Sequence, residues 1–463
     1  MQEKIVMKFG GTSIESEDLI ERVVSIIKEK YERDIGLVVV VSAFSGTTDN
    51  LIEISDFVRD NKRKKAIELV EEVEKRYIEV AKNVIKKENI REEVFDELDS
   101  RINELKTFVK NVDSVKEREL DFFMSFGERL SAPIISGALC DEGVSSSPLT
   151  GKEAGVLTND IYGDARPLDE SEKKIRETLS PLIEEEVPIV TGFIGSSKEG
   201  DITTLGRGGS DYTASIIGEA IKADEIWIWT DVSGVLTCDP SIMSNAKPLK
   251  SISYREALEL SYFGADVLHP KSIEPAIENN IPVIVKNTYN PSAEGTKIVK
   301  EEEKIKGVVK GISIEDNVAL LNVSGIGMLG KPGVAANILD YLANENINVK
   351  MISTGSCEPT ISILIDEREL EKANDLLKKD LGASVIEEVC YEKDVAAISV
   401  VGAGMAGTPG VAGRVFSTMG NSEVNIKMIS QGSSEFNISF VIKEKDVEES
   451  VKALHSEFGL ENI

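Results

Sequence analysis

Ile5-Val-Met-Lys-Phe-Gly-Gly-Thr-Ser13 joins a short apolar run to two glycines and two hydroxyl residues. Residues 5–9 read as a buried strand, Gly10-Gly11 as a tight turn, and the periodic Leu19, Val23, Ile26 and Ile27 as the apolar face of the helix that follows. Leu37-Val-Val-Val-Val41 is then an unbroken, mostly β-branched run. That pattern belongs to a strand covered on both faces, and so to a parallel α/β sheet. Outward from this core, residues from about 49 to 121 read as helical and densely charged, with stretches such as 59–65 forming solvated faces. Further strands are expected at 188–191, 202–205, 225–230 and 282–286, with helices between them.

An internal repeat follows. Gly325-Ile-Gly-Met-Leu-Gly-Lys-Pro-Gly-Val-Ala335 recurs as Gly402-Ala-Gly-Met-Ala-Gly-Thr-Pro-Gly-Val-Ala412, and Lys350-Met-Ile-Ser-Thr-Gly-Ser356 recurs as Lys427-Met-Ile-Ser-Gln-Gly-Ser433. About 20 of 41 aligned positions are identical, too many for chance. Each copy reads strand, glycine-rich turn, helix, strand, strand, helix. The organisation expected is a domain over 1–300, a charged linker at 301–312, and two smaller units at 313–388 and 389–463.

Composition narrows the function. With 53 Lys and Arg against 81 Asp and Glu, the formal charge of −28 disfavours nucleic acid and anionic membranes as partners. An anionic substrate would need positive charge supplied locally. The four cysteines, Cys140, Cys238, Cys357 and Cys390, form no CxxC and suggest neither a zinc site nor a disulfide framework. They read as reduced thiols in a cytoplasm. With the first strand starting near Lys4 no room is expected for a signal peptide, and no apolar run reaches the ~18 residues of a membrane span. His269 and His455 are the only histidines, so a histidine triad or histidine metal site is not expected. The chemistry falls to Lys, Arg, Asp, Glu and backbone amides.

Both repeats contain G-x-G-x-x-G, but neither has an acidic residue ending its second strand to hold a ribose; those strands run into Ser353-Thr354-Gly355 and Ser430-Gln431-Gly432. The glycines therefore serve a close approach of a small ligand or another subunit, or a purely structural turn. Three other segments face anions. Lys8 with Gly10-Gly11 could hold a phosphate at a helix start, or be only a tight turn. Thr204-Leu-Gly-Arg-Gly-Gly-Ser-Asp211 sets the planar fork of Arg207 among glycines, a pattern suited to a carboxylate. Ser125-Phe-Gly-Glu-Arg129 adds a carboxylate near a glycine turn, able to hold an ammonium group or to form an ordinary surface ion pair.

These segments, with Val41-Ser-Ala-Phe-Ser-Gly46, Gly192-Phe-Ile-Gly195 and Trp229-Thr-Asp-Val-Ser-Gly-Val235, resemble the amino-acid kinase family, and specifically the aspartate kinases, collinearly over nearly the whole chain. The resemblance implies an amino-acid kinase fold, a mainly parallel sheet between helices, followed by two α+β ACT units of ferredoxin-like form. It implies transfer of a phosphoryl group from ATP, with Mg²⁺ carried by the nucleotide and no metal held by the protein alone, to the side chain of aspartate. Lys8, Gly10, Gly11 and Asp211 would be catalytic. Ser42, Thr48, Glu128, Phe193, Arg207, Gly209 and Ser210 would surround aspartate, Glu128 facing its ammonium and Arg207 a carboxylate. Thr12, Ser13, Thr230 and Asp231 would join Lys8, Gly10 and Gly11 on the nucleotide.

The paired repeats look like units that bind end-product amino acids. Met328, Gly330, Gly333, Val334, Asn348, Val349, Ser353 and Thr354 are the expected effector contacts, with threonine favoured over lysine because no acidic side chain follows until Glu358. A homodimer or homotetramer through the ACT units is expected. Three positions depart from the family: Leu236 replaces a tyrosine, Ser241 an arginine and Asp266 a lysine, all on the nucleotide side. They would permit a rival reading, a catalytically weak amino-acid-binding regulatory protein. Another amino-acid kinase, for instance one acting on glutamate, is the second rival.

Overall fold

The computed structural model describes residues 2–262, 268–300, 308–328, 330–355, 360–379 and 386–462. Two compact units emerge: one takes in residues 1–235, 250–254 and 268–301, the other 236–249, 255–267 and 302–463.

In the first unit the apolar runs become the centre of a sheet. Its strands are β1 (Lys4–Phe9), β2 (Gly36–Val41), β3 (Ser146–Leu149), β4 (Val187–Thr191), β5 (Ile194–Ser196), β6 (Ile202–Thr204), β7 (Glu225–Thr230), β8 (Ser251–Ser253), β9 (Val283–Asn287) and β10 (Thr296–Val299). Eight of them form one sheet in the order β3-β4-β2-β1-β7-β9-β10-β8, parallel at every junction except β9 with β10. Every residue of β2 is buried, as its β-branched run requires.

Helices α1 (Glu17–Tyr31), α2 (Thr47–Arg59), α3 (Arg63–Val84), α4 (Glu88–Asn111), α5 (Glu117–Met124), α6 (Phe126–Asp141), α7 (Asp169–Leu182) and α8 (Gly209–Ile221) follow, with α9 (Tyr254–Tyr262) and α10 (Glu274–Asn279) later in the chain. The charged stretch from 49 to 121 is helical because its apolar residues recur every three or four positions: Ala66, Val70, Val73, Tyr77, Val80, Ala81 and Val84 bury one face of α3. One expected strand finds a different partner. Residues 202–204 do not join the main sheet; they pair antiparallel with β5 as a small separate hairpin.

In the second unit the repeats share two long strands. β11 (Gly311–Ser324) and β14 (Glu388–Val401) lie antiparallel at the centre of a six-stranded sheet with β12 (Met351–Thr354), β13 (Thr360–Asp366), β15 (Met428–Ser430) and β16 (Asn437–Lys443), in the order β12-β13-β11-β14-β16-β15. The second half of β11 pairs with β13 and the first half of β14, while its first half, Gly311 to Glu315, pairs with Val401 to Ala397. α11 (Val334–Asn344) and α12 (Leu370–Lys379) pack on the first repeat, α13 (Val411–Asn421) and α14 (Val447–Glu457) on the second.

Each repeat is thus a βαββαβ unit, but the fourth strand of the second repeat comes from ahead of the first. The expected linker at 301–312 gives way accordingly. Residues 301–307 fall outside the described residues, while Val309 and Ile312 are buried and Gly311 opens a strand. The second unit also takes residues 236–249 and 255–267, which the sequence reading placed in the first domain. Glu256 of α9, with no exposure, lies 3.4 Å from Lys310 and accepts the Ala403 backbone N–H at 2.6 Å. No helix among the described residues is long and apolar enough to cross a membrane.

Candidate active site

In a parallel sheet the loops that leave the carboxyl ends of the strands gather at one edge, where ligands bind. Here the segments after β1, β2 and β4 meet the starts of α2 and α8 around a cleft of about 440 Å³. Lys8, Gly11, Ser42, Thr48, Glu128, Phe193, Arg207, Gly209, Ser210 and Asp211 all line it. Residues more than 200 positions apart in sequence are brought together.

Its electrostatics suit anions. Lys8 at the end of β1 lies 2.5 Å from the Asp211 carboxylate, and both side chains are almost wholly buried. α2 starts after Gly46 and α8 after Gly208, each glycine left-handed, at φ 78° and 69°, so two 13-residue helices aim free N–H groups and positive dipole ends at the cleft. Gly208 has a second reason to be glycine: a Cβ there would come within 2.7 Å of the His269 Cβ. Gly11 has one as well, because a Cβ would meet the Ala43 carbonyl oxygen at 2.8 Å. Arg207 is exposed at the rim.

Glu128 is the unusual group. It belongs to the first turn of α6 rather than to a glycine turn; Gly127 precedes it because a Cβ would sit 2.5 Å from the Ala43 methyl. Its side chain is buried, with Oε1 accepting the Ala43 N–H at 3.1 Å and Oε2 without a hydrogen-bond partner among the described residues. Burial pushes its pKa up to about 8, against the backbone hydrogen bond and the nearby Lys8 charge, which act to lower it. Arg129 does not pair with it; it pairs with Glu104 instead. A buried carboxyl group with one unsatisfied oxygen can receive an ammonium group and ionise as it does so. Phe193 is held at φ 66°, an uncommon conformation for a residue with a side chain, by its N–H to Thr213 Oγ1 and its carbonyl to the Leu205 N–H.

The nucleotide-side expectations are placed less uniformly. The Gly10 N–H is engaged by the Trp229 carbonyl at 3.2 Å, so it does not project toward a phosphate. The Ser13 hydroxyl is fully buried, bonded to the Trp229 carbonyl and to Thr288 Oγ1, and ties β1 to β7. Thr12 is half-buried in the same short turn. Thr230 and Asp231, hydrogen-bonded to each other at 3.0 Å, end β7 outside the lining of the cleft. Leu236 and Ser241 lie in the second unit. Asp266 lies outside the described residues.

The sequence reading missed Asp49, Gly46 and Gly206, which also line the cleft, and Tyr77, whose hydroxyl receives the Phe44 N–H and bonds to Thr47 and the Gly127 carbonyl behind it. Gly46 could have been found from its place before a helix start; Tyr77 had no local signal. Among the described residues no group of three or more His, Cys, Asp or Glu could hold a metal ion.

Of the expected effector residues, Met328 packs in the core of the first repeat, while Gly330 and Gly333 are left-handed and Gly333 caps α11. Val334 opens that helix, Asn348 and Thr354 are exposed, and Val349 and Ser353 are half-buried. Ser356 and Glu358 fall outside the described residues.

Comparison with known proteins agrees with this architecture. The family model "Amino acid kinase family" matches residues 3–287, and an ACT domain model matches 321–381 and 398–458. Aspartokinase 1, chloroplastic, of Arabidopsis thaliana is 36% identical over 98% of this chain and 80% of its own length. Aspartokinase of Geobacillus stearothermophilus is 35% identical over 98% of this chain and 97% of its own. Against the bifunctional aspartokinase/homoserine dehydrogenase 1 of Zea mays, 34% identical, the chain spans about half of the relative's length. The structure of E. coli aspartokinase III in complex with aspartate and ADP (R-state) superposes with a TM-score of 0.79 at 29% identity, over 99% of this chain and all of that one. That of the same enzyme with lysine and aspartate (T-state) gives 0.81 at 30% identity, again over 99% of this chain and all of that one. The chain belongs to the amino acid kinase family, and within it to the aspartokinases with a C-terminal pair of ACT domains.

Proposed function

We propose that this protein transfers the γ-phosphoryl group of ATP to the side-chain carboxylate of aspartate, forming 4-phospho-L-aspartate and ADP. The observation that carries the reading is the cleft itself, where Lys8, Asp211 and two helix N-termini meet a buried Glu128 with an unpartnered oxygen. The names of the relatives, and the aspartate and ADP in the E. coli aspartokinase III structure, support it.

A carboxylate with an ordinary pKa near 3.9 is ionised at neutral pH and needs no general base. One of its oxygens attacks the γ-phosphorus as the bond to the β–γ bridging oxygen breaks and ADP leaves with the electron pair. The remaining work is alignment of two mutually repelling anions and neutralisation of charge on the transferring group. Lys8 and the α8 N-terminus would face the phosphoryl oxygens; Glu128 would hold the ammonium of aspartate, and Arg207 its α-carboxylate. Ser42, Thr48, Phe193, Gly209 and Ser210 would shape the aspartate side, and Gly11, Thr12, Thr230 and Asp231 the nucleotide side. Mg²⁺ bound to the nucleotide would supply further charge neutralisation. Trapping the product with hydroxylamine tests the reading: aspartyl hydroxamate supports it, glutamyl hydroxamate would assign a different kinase, and no product would leave an amino-acid-binding regulator.

The regulatory part of the proposal is that an amino acid, threonine in preference to lysine, binds the first repeat at Gly330, Gly333, Val334, Asn348, Ser353 and Thr354. An effector must bind the less active arrangement better, and a coupling of about 1–3 kcal/mol gives about 5- to 150-fold inhibition. Titrating both amino acids at sub-saturating aspartate checks this; no effect and no calorimetric binding at millimolar concentration removes it. Assembly as a homodimer or homotetramer is proposed through β12 and β15, the sheet edges, which carry the exposed Ile352 and Ile429. The setting proposed is a cytoplasm, in keeping with the free Cys140, Cys238 and Cys390.

A further inference from the structure

A second cleft of about 510 Å³ lies within the first unit, separate from the candidate active site but sharing two walls with it. Consecutive residues divide between the two. Glu128 lines the first cleft and Arg129 the second; Phe193 lines the first and Ile194 the second. The β5–β6 hairpin has its body in the second cleft, at Ile194, Gly195 and Ile202, while its ends run into Phe193 and Gly206-Arg207 in the first.

The chemistry of the second cleft is not used by the phosphoryl transfer. Arg129 is largely buried there, its guanidinium 4.3 Å from the Phe126 ring centroid and one arm, Nη2, paired with Glu104. The other arm, Nη1, is buried with no hydrogen-bond partner among the described residues, which leaves a donor for an acceptor from outside. Lys152 stands at the same cleft, donating to the Gly200 carbonyl at 3.2 Å and able to donate twice more. Of the acids at the rim, Glu104 is held by Arg129 and Asp201 by Arg118 at 2.6 Å. Together with Glu119 they oppose an anion of more than one charge. Phe108 and Phe122, with ring centroids 4.3 Å apart, make an apolar wall.

We infer that this cleft binds a small monocarboxylate with an apolar body, its carboxylate between Arg129 Nη1 and Lys152 and its body against Phe108 and Phe122. Because α6 and the β5–β6 hairpin form walls of both clefts, an occupant would bear on Glu128 and Phe193 and so on the first cleft. The binding claim itself does not depend on what the first cleft catalyses.

The test is calorimetric titration of the full-length protein with 3-phenylpropionate and, separately, inorganic phosphate, with aspartate held in excess. Expected are a phenylpropionate dissociation constant of about 1 mM or tighter, and phosphate about tenfold weaker or undetectable. Lys152→Ala, at an exposed position that leaves the fold intact, should weaken phenylpropionate binding by about three- to tenfold, and Arg129→Gln by more than about tenfold. No binding up to about 20 mM, or equal affinity in wild type and Lys152→Ala, would overturn the site; phosphate binding as tightly as phenylpropionate would overturn the class of ligand. Turnover is not read, so failure here is distinct from failure of the hydroxamate assay.

Discussion

Raising the pH from 6 to 9 should sharply lower the aspartate concentration needed for half-saturation, because Glu128 must lose a proton to accept an ammonium group. Its pKa stands at about 8 in the free protein. At pH 7 about ten molecules in eleven therefore carry it neutral, which weakens binding about tenfold, or about 1.4 kcal/mol, relative to pH 9. At pH 6 the loss is about a hundredfold. The side chain of aspartate, with an ordinary pKa near 3.9, does not titrate in this window. Initial rates at saturating MgATP and varied aspartate, collected across the range, measure the slope. Calorimetry in buffers of different ionisation enthalpy should show about one proton released per aspartate bound at pH 7.

Glu128→Gln should flatten the profile and raise KM at pH 9. The same group also affects the stability of the free protein. From the unfolded carboxyl value of 4.5 up to about 8, the folded state holds a proton that the unfolded state has lost, so this group makes stability fall as pH rises through that window. Below the unfolded value the difference vanishes. A KM that is flat from pH 6 to 9 in the wild type, or a slope unchanged in Glu128→Gln, would refute the assignment.

Lys8→Ala should lower kcat by about two to three decades, as expected for loss of a preorganised charge at the transferring group; steady-state kinetics with near-normal turnover would rule that role out. Arg207→Ala should raise the aspartate KM about ten- to a hundredfold with little change in that for ATP, and since Arg207 is exposed the free protein should keep its melting temperature. Glu256→Ala removes one partner of the buried Lys310 together with the acceptor of the Ala403 N–H, and should cost about 3–5 kcal/mol. Scanning calorimetry should place that loss in the second unit, and a change under about 1 kcal/mol would mean that Lys310 is satisfied some other way.

Much of the architecture was legible because it rests on local patterns. The buried run of β2 and the duplicated glycine turns each carry their own periodicity or identity, and the lining of the cleft follows from motifs that keep their spacing. What was not legible depends on partners distant in sequence. Residues 202–204 read correctly as a strand, but nothing in three residues says whether they join a sheet or a hairpin. β3, β8 and β10 are three or four residues long and too short to show a period. Gly10 and Ser13 looked free to meet a phosphate, and only the position of Trp229 reveals that they are engaged. The burial of Glu128 depends on Ala43 and on a helix start that a glycine disguised as a turn. The division by contacts differs from the sequence reading at residues 236–267, where Glu256 meets Lys310 and Ala403 across 54 and 147 positions.

The exchange of strand halves in the second unit has a consequence for how the chain comes to be folded. During synthesis Gly311 to Glu315 emerge early, yet the strand that receives them ends at Val401, after the entire first repeat. Until then their side facing β14 stays unpaired, and closing the pair means looping out about 80 residues, slow in the way that non-local pairing is slow. The first repeat, whose contacts are nearer in sequence, would fold inside that loop and bring its ends together, acting as a template for the second. A nascent chain stalled just short of β14 should therefore be a ready target for aggregation or for a chaperone. A variant in which residues 308–316 are transposed to follow α14 should fold faster while reaching the same sheet.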